Sequence, residues 1–245
     1  MIKKKIGIIG HGKWGKIISN QLLKLTDVKF ILRSKDNYKD YIDNIDWVFI
    51  LTPDDTHYQI TKFYLKKKIN VFCEKPLCLK VNQGKELINL SKKNKVKLYI
   101  NDIETYKKKK ISINKKINYV IRRKKDIPTS FSLINRLACH DFYLLSKYIN
   151  LKSIKLINGV ISKTKLDFTI ILKNNIMFKF YYNIRSKNKE HLINQTKFHL
   201  YKNNPLKLMI KSVLYSKNNN LRINNQNALN CIDLITKVEN SLNRI

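Results

Sequence analysis

Four of the six glycines in this 245-residue chain fall within its first fifteen residues, at Gly7, Gly10, Gly12 and Gly15. A sequence this sparing with glycine keeps it for places where no side chain fits. Ile6 to Ile9 is a short apolar run of the kind that forms a buried strand. Trp14 to Leu25 carries Trp14, Ile17, Ile18, Leu22 and Leu25 at helical spacing. Between the two stands Gly10-His11-Gly12-Lys13-Trp14-Gly15. In a strand-turn-helix setting each glycine of G-x-G-x-x-G has its own task. The first makes the tight turn, the second lets backbone approach a pyrophosphate, and the third lets the helix pack close to the strand. The helix start adds unpaired N–H groups and a partial positive charge. These six residues form the candidate phosphate-binding turn of a dinucleotide site.

The pattern that follows is alternating. Val28–Leu32, Asp46–Leu51, Asn70–Cys73 and Val96–Ile100 read as strands, and Thr56–Lys67 and Asn82–Asn94 as helices. Such alternation predicts a parallel sheet flanked by helices, a Rossmann-type α/β domain over residues 1–105. Past Tyr106 the texture changes. Lys107–Lys110 reads as a solvated loop, Ile117–Ile121 as a short strand or helix, and Leu137–Ile149 as a helix. From Ser153 to Tyr215 the reading is β, in segments at 155–157, 167–172, 176–182, 197–201 and 206–214 separated by Asn-rich turns. Asn225–Leu242 closes the chain as an amphipathic helix. Residues 106–245 are thus expected to form a smaller α+β domain with a mostly antiparallel sheet.

The net charge of +33 raises the question of nucleic acid. Only seven of the 50 basic residues are Arg, and the lysines are spread along the whole chain. Readers of nucleic acid lean on Arg forks and on aromatics interleaved with basic residues. The charge is therefore read as lysine-rich composition, not as a nucleic-acid surface, although its field favours anionic small molecules. No apolar run approaches the ~20 residues of a membrane span. The start of the chain lacks the apolar run of a secretory signal, so a cytoplasmic protein is expected. The four cysteines fit no zinc spacing and are expected as reduced thiols; no histidine–carboxylate cluster suggests a metal.

Dinucleotide sites that take NAD place an acidic residue at the end of the second strand, about 20 residues beyond the glycines. Here that position reads Leu32-Arg33-Ser34-Lys35. Arg33 and Ser34 suit a 2′-phosphate, which favours NADP over NAD. Asp36 stands close enough to reverse the preference if the loop is long.

Two further motifs sit at carboxyl ends of strands, where open α/β sheets bind ligands. They are Thr52-Pro53-Asp54-Asp55-Thr56-His57 and Glu74-Lys75-Pro76-Leu77. In this order, after a glycine fingerprint, they resemble the glucose–fructose oxidoreductase/inositol dehydrogenase (Gfo/Idh/MocA) family, which carries T-P-x-x-x-H and then E-K-P-L. The likeness covers about the first hundred residues. It implies that Lys75 is the active-site lysine beside nicotinamide and substrate hydroxyl, where an ammonium stabilises a developing alkoxide. It implies that Glu74 positions the site and the cofactor, and that Thr52, Pro53 and His57 line the cofactor pocket.

Leu137-Ala138-Cys139-His140-Asp141-Phe142 resembles the family's second-domain helix. His140 matches its catalytic histidine, whose near-neutral pKa suits removal of a hydroxyl proton as hydride leaves carbon. The family's aspartate four residues earlier is replaced by Arg136, which suits an anionic substrate or a weakened enzyme. The resemblance implies hydride transfer to or from a hydroxyl-bearing carbon of a sugar, cyclitol or nucleotide-sugar. It also implies a homo-oligomer joined through the second-domain sheet. His191 and His199 have no recognisable partners and read as ordinary strand and loop residues.

Overall fold

The computed structural model describes residues 2–33, 35–124, 132–216 and 220–245. The chain divides into two compact units. The first is Met1–Tyr106 with Asn204–Ile232, and the second is Lys107–Asn203 with Asp233–Ile245.

The first unit is built on a five-stranded sheet of β1 (Lys5–Ile9), β2 (Asp27–Leu32), β3 (Trp47–Ile50), β4 (Asn70–Cys73) and β5 (Leu98–Ile100). The strand order is β2-β1-β3-β4-β5 and every pairing is parallel. The order reverses between β1 and β3, which is where such sheets place ligands. Helices α1 (Lys13–Leu25), α2 (His57–Lys66) and α3 (Val81–Lys93) make the crossovers. Side chains alternate across the strands, so Ile6, Ile8, Trp47, Phe49, Phe72 and Tyr99 share a core with Ile18 and Leu22 of α1. Phe49 and Phe72 stack at 4.5 Å. α2 packs against β3, β4 and α3.

The same core contains Leu206, Met209, Ile210, Val213 and Leu214. These residues belong to a helix, α5 (Pro205–Tyr215), where the sequence pattern suggested a strand. Their spacing of three and four is that of one helix face. Asn204 caps the helix by accepting the Lys207 N–H at 2.9 Å, and Pro205 occupies the first turn. The apolar face of α5 completes the cover over the first sheet, which is why residues 204–232 join the first unit despite following the second in sequence. The division then falls within α6 (Leu221–Ser241), after Ile232.

The second unit holds a seven-stranded mixed sheet. Its strands are β6 (Ile117–Arg123), β7 (Ile154–Ile161), β8 (Lys165–Leu172), β9 (Met177–Asn183), β10 (Glu190–Ile193), β11 (Thr196–Lys197) and β12 (Asn243–Arg244). The order is β11-β10-β6-β9-β8-β7-β12. Pairing is antiparallel except for β6 with β9 and β7 with β12. The expected strand at 197–201 is reduced to Thr196–Lys197, and β10 had no counterpart in the sequence reading. Leu166, Phe168, Ile170 and Leu172 of β8 are buried, in strict alternation. A short helix, α4 (Cys139–Leu145), covers that face, and Phe142 meets Phe168 and Phe180 edge-on at 6.1 and 5.5 Å. Burying one such ring contributes roughly 1.5–3 kcal/mol.

Candidate functional site

In the first unit the sheet's hydrogen bonding runs one residue past β1, β3, β4 and β5. Gly10 N–H donates to Leu32 O, Leu51 N–H to Ile9 O, Glu74 N–H to Ile50 O and Asn101 N–H to Cys73 O, at 2.7–3.0 Å. The opening residues of four loops are thereby held in register along the carboxyl edge of the sheet. Three of these loops, those opened by Gly10, Leu51 and Glu74, carry the motifs.

Gly10 has φ +99°, and a Cβ there would stand 2.5 Å from the Leu51 backbone. A Cβ on Gly15 would stand 2.3 Å from Gly10 O. Internal packing therefore accounts for both glycines. It does not account for Gly12, where a Cβ would meet nothing within 4 Å. Gly12 precedes α1, whose first turn has neither a side-chain cap nor an acidic residue. His11 is half-buried, and its buried Nδ1 makes no hydrogen bond among the described residues. Lys13 is exposed. Bare backbone, free N–H groups and an unsatisfied ring nitrogen together fit the diphosphate of a nicotinamide dinucleotide.

Trp14 extends from α1 to Glu74, donating its Nε1–H to Oε1 at 2.5 Å. The same oxygen accepts from the Asn101 side-chain amide, and Oε2 accepts the Lys75 backbone N–H at 3.2 Å. Glu74 thus joins the glycine helix, the lysine loop and the end of β5. Asn101 was missed by the sequence reading; its signal is its place immediately beyond the fifth strand. Lys75 is half-buried and is followed by a cis peptide to Pro76.

Thr52 is half-buried and Pro53 exposed. Thr56 binds back to both, its hydroxyl lying 2.7 Å from Thr52 Oγ1 and from Pro53 O. His57 is 1% exposed and is held by two carbonyls, Pro76 O at Nδ1 (2.7 Å) and Thr52 O at Nε2 (2.9 Å). Burial works against its charge, but the Cys73 sulfur and the two carbonyls outweigh it and push the pKa up to about 10.

At the end of β2, Arg33 is exposed and its backbone N–H donates to Asp36 Oδ2 at 2.6 Å. Asp36 N–H returns to Arg33 O at 3.1 Å, so the loop is a tight turn in which the carboxylate is engaged locally. Ser34 lies outside the described residues.

In the second unit, Ile134–Ala138 forms a π-helical turn running directly into α4. Such turns are frequent at functional sites. Arg136 is exposed within it, and His140 is half-buried in the first turn of α4. The neighbouring Asp141 is fully buried and accepts from four donors. These are Arg122 Nη2 (2.8 Å) and Nε (3.2 Å), Tyr182 Oη (3.0 Å) and His191 Nε2 (2.7 Å). The three partners lie side by side on β10, β6 and β9, for His191 pairs with Arg122 and Arg122 with Tyr182. Burial raises the Asp141 pKa, but Arg122 and His191 outweigh it and hold the carboxyl far below the usual range. His191 is therefore no ordinary strand residue: it is part of the row that anchors α4. The four cysteines are buried free thiols. Among the described residues no helix is long and apolar enough to cross a membrane, and no group of His, Cys, Asp and Glu is arranged to hold a metal.

Residues 16–102 match the oxidoreductase family GFO_IDH_MocA, described as having an NAD-binding Rossmann fold. The chain is 39% identical over 57 residues to the uncharacterized oxidoreductase YgjR of Escherichia coli, a stretch covering 23% of this chain and 17% of that protein. It is 43% identical over 51 residues to the uncharacterized oxidoreductase YfiI of Bacillus subtilis, covering 21% and 13%. Among solved structures it is similar to the UDP-N-acetylglucosamine 3-dehydrogenase GnnA of Acidithiobacillus ferrooxidans. The TM-score is 0.84 at 14% identity, over 99% of this chain and 98% of that one. A myo-inositol dehydrogenase of Corynebacterium glutamicum gives a TM-score of 0.73 at 11% identity, over 98% and 97%. A biliverdin reductase of Synechocystis, in complex with biliverdin and NADP+, gives 0.72 at 12% identity, over 97% and 98%. At these identities the solved structures establish the fold alone, and the likeness to the Gfo/Idh/MocA oxidoreductase family is carried by residues 16–102 of the Rossmann unit.

Proposed function

We propose that this protein is an NAD(P)-dependent oxidoreductase that moves a hydride between nicotinamide and a hydroxyl- or carbonyl-bearing carbon, with NADP the favoured cofactor. The observation that carries the reading is Gly12, a glycine that no internal contact requires, at an uncapped helix start on the edge where the strand order reverses. The cofactor supplies or accepts the hydride; the remaining tasks fall to the chain. Gly10, His11, Gly12, Lys13 and Trp14 hold the diphosphate end, with Gly15 keeping α1 close. Arg33 offers its guanidinium to a 2′-phosphate, the committed Asp36 carboxylate leaving that side chain free to do so. Thr52 and Pro53 border the nicotinamide end. The Lys75 ammonium donates to the substrate oxygen and stabilises it as an alkoxide. The His140 imidazole takes the hydroxyl proton on oxidation and returns it on reduction. Arg136 binds an anionic group of the substrate.

A sugar, cyclitol or nucleotide-sugar is the proposed substrate class, on the strength of the lysine and histidine motifs. Biliverdin reductase has the same fold, so fold similarity by itself does not carry this choice. A homo-oligomer is proposed through the open face of the seven-stranded sheet. Registers put Ile117, Tyr119, Leu156 and Val160 on that one face, and all four are exposed. Arg136 favours a second reading, a dinucleotide-binding protein with weakened turnover.

The deciding experiment is a fluorescence titration of the purified protein with NADPH and NADH, repeated on Gly12→Asp. Binding by wild type that the variant abolishes is expected; wild-type protein that binds neither nucleotide overturns the proposal. Turnover across a sugar and cyclitol panel then separates the enzyme from the binding protein.

A further inference from the structure

His57 opens α2, yet it is buried from solvent. Both of its ring nitrogens are within hydrogen-bond distance of a carbonyl oxygen, Pro76 O on one side and Thr52 O on the other. A carbonyl oxygen only accepts. A neutral imidazole carries hydrogen on one nitrogen, so in that form one of these short contacts would set lone pair against lone pair. The doubly protonated ring satisfies both. The Cys73 sulfur on β4 also interacts with the ring and favours its charged form.

The two carbonyls belong to different loops. Thr52 lies just beyond β3, and Pro76 follows Lys75 beyond β4. Thr52 reaches His57 along the chain, whereas Pro76 is 19 residues away. The ring therefore ties the two loops together beyond the backbone hydrogen bond that joins these strand ends, Glu74 N–H to Ile50 O at 2.9 Å.

We propose that His57 is a charged imidazolium clamp that fixes the Thr52–Pro53 loop to the Lys75–Pro76 loop and so sets the position of Lys75 before any ligand binds. It is a positioning residue, acting through two backbone carbonyls and not by touching the nucleotide. The identity of the ligand at these loops rests on the oxidoreductase reading; the charge and the clamp do not.

Two measurements test this on the full-length protein. The first is ¹⁵N NMR of histidine-labelled wild type, with the His57 ring assigned through bonds from its own backbone. Hydrogen is expected on both ring nitrogens throughout neutral pH; a bare ring nitrogen at neutral pH overturns the proposal. The second is a titration of wild type and His57→Gln with NADPH. Loss of a hydrogen bond from a charged donor is expected to weaken binding about tenfold. The Lys75 amide resonance should shift in the variant while that of His140 stays in place. A His57→Gln variant that binds NADPH like wild type and leaves the Lys75 resonance unmoved removes the clamp. If wild type binds neither NADPH nor NADH, the oxidoreductase reading falls, and the ring spectrum together with the Lys75 resonance still decides the clamp.

Discussion

The Trp14 indole donates to the Glu74 carboxylate across 2.5 Å, joining residues 60 apart in sequence. One partner belongs to the glycine turn and the other precedes the candidate catalytic lysine, so the two motifs are physically coupled. A hydrogen bond to a charged group contributes about 1.5–3 kcal/mol. Trp14→Phe keeps the ring and removes the donor. It should weaken NADPH binding by roughly tenfold, the lower end of that range. Isothermal titration of both proteins checks this, and equal affinities would show the contact to be dispensable.

The glycines of the turn should separate by role. Gly10→Ala forces a side chain onto φ +99° and against the Leu51 backbone, so a lower melting temperature is expected along with lost binding. Gly12→Ala meets nothing inside the protein and should change stability by less than about 1 kcal/mol. It should nonetheless abolish NADPH binding. A Gly12→Ala protein that binds normally would mean the bare backbone serves no ligand.

Arg33 should govern cofactor choice. On the proposed reading, charge-assisted bonds from its guanidinium to a 2′-phosphate would be worth about 1.5–3 kcal/mol. Arg33→Ala should therefore lose at least tenfold in NADPH affinity while NADH affinity stays within a factor of about two. Parallel losses for both nucleotides would show that Arg33 reads no 2′-phosphate.

Asp141 should dominate the acid limb of stability. Its folded-state pKa lies below the ordinary value of 3.8, so the unfolded chain binds its proton first as pH falls. The stabilisation is present above that ordinary value and is lost as pH drops through the depressed folded value. Asp141→Asn removes the buried carboxylate that pairs with Arg122 at 2.8 Å and His191 at 2.7 Å and should cost about 3–5 kcal/mol at neutral pH. It should also flatten the acid limb. Denaturant melts of both proteins from pH 7 downward test this; parallel acid limbs would assign the acid sensitivity elsewhere.

The first unit was largely legible in the sequence because its information is local. A left-handed Gly10, a bare Gly12 and the short apolar strands each impose their constraint within a few residues, and the motifs follow at the strand ends where the fold needs them. The helix α5 was misread as a strand even though its signals, Asn204-Pro205 and the spacing of Leu206, Met209, Ile210, Val213 and Leu214, were present. In a run so rich in apolar residues, period two and period three-to-four overlap, and the sheet that α5 covers decided between them. What the sequence by itself determined was the glycine turn between β1 and α1 and the motifs at the strand ends. What only the tertiary structure decided was the partnership of distant groups: Trp14 with Glu74, His57 with the carbonyl of Pro76, and Asp141 with Arg122, Tyr182 and His191, which lie 19, 41 and 50 residues from it. Burial explains the difference. A carboxylate or imidazole taken out of water must find its donors or acceptors in whatever strands the fold brings alongside, and no local pattern encodes which strands those are.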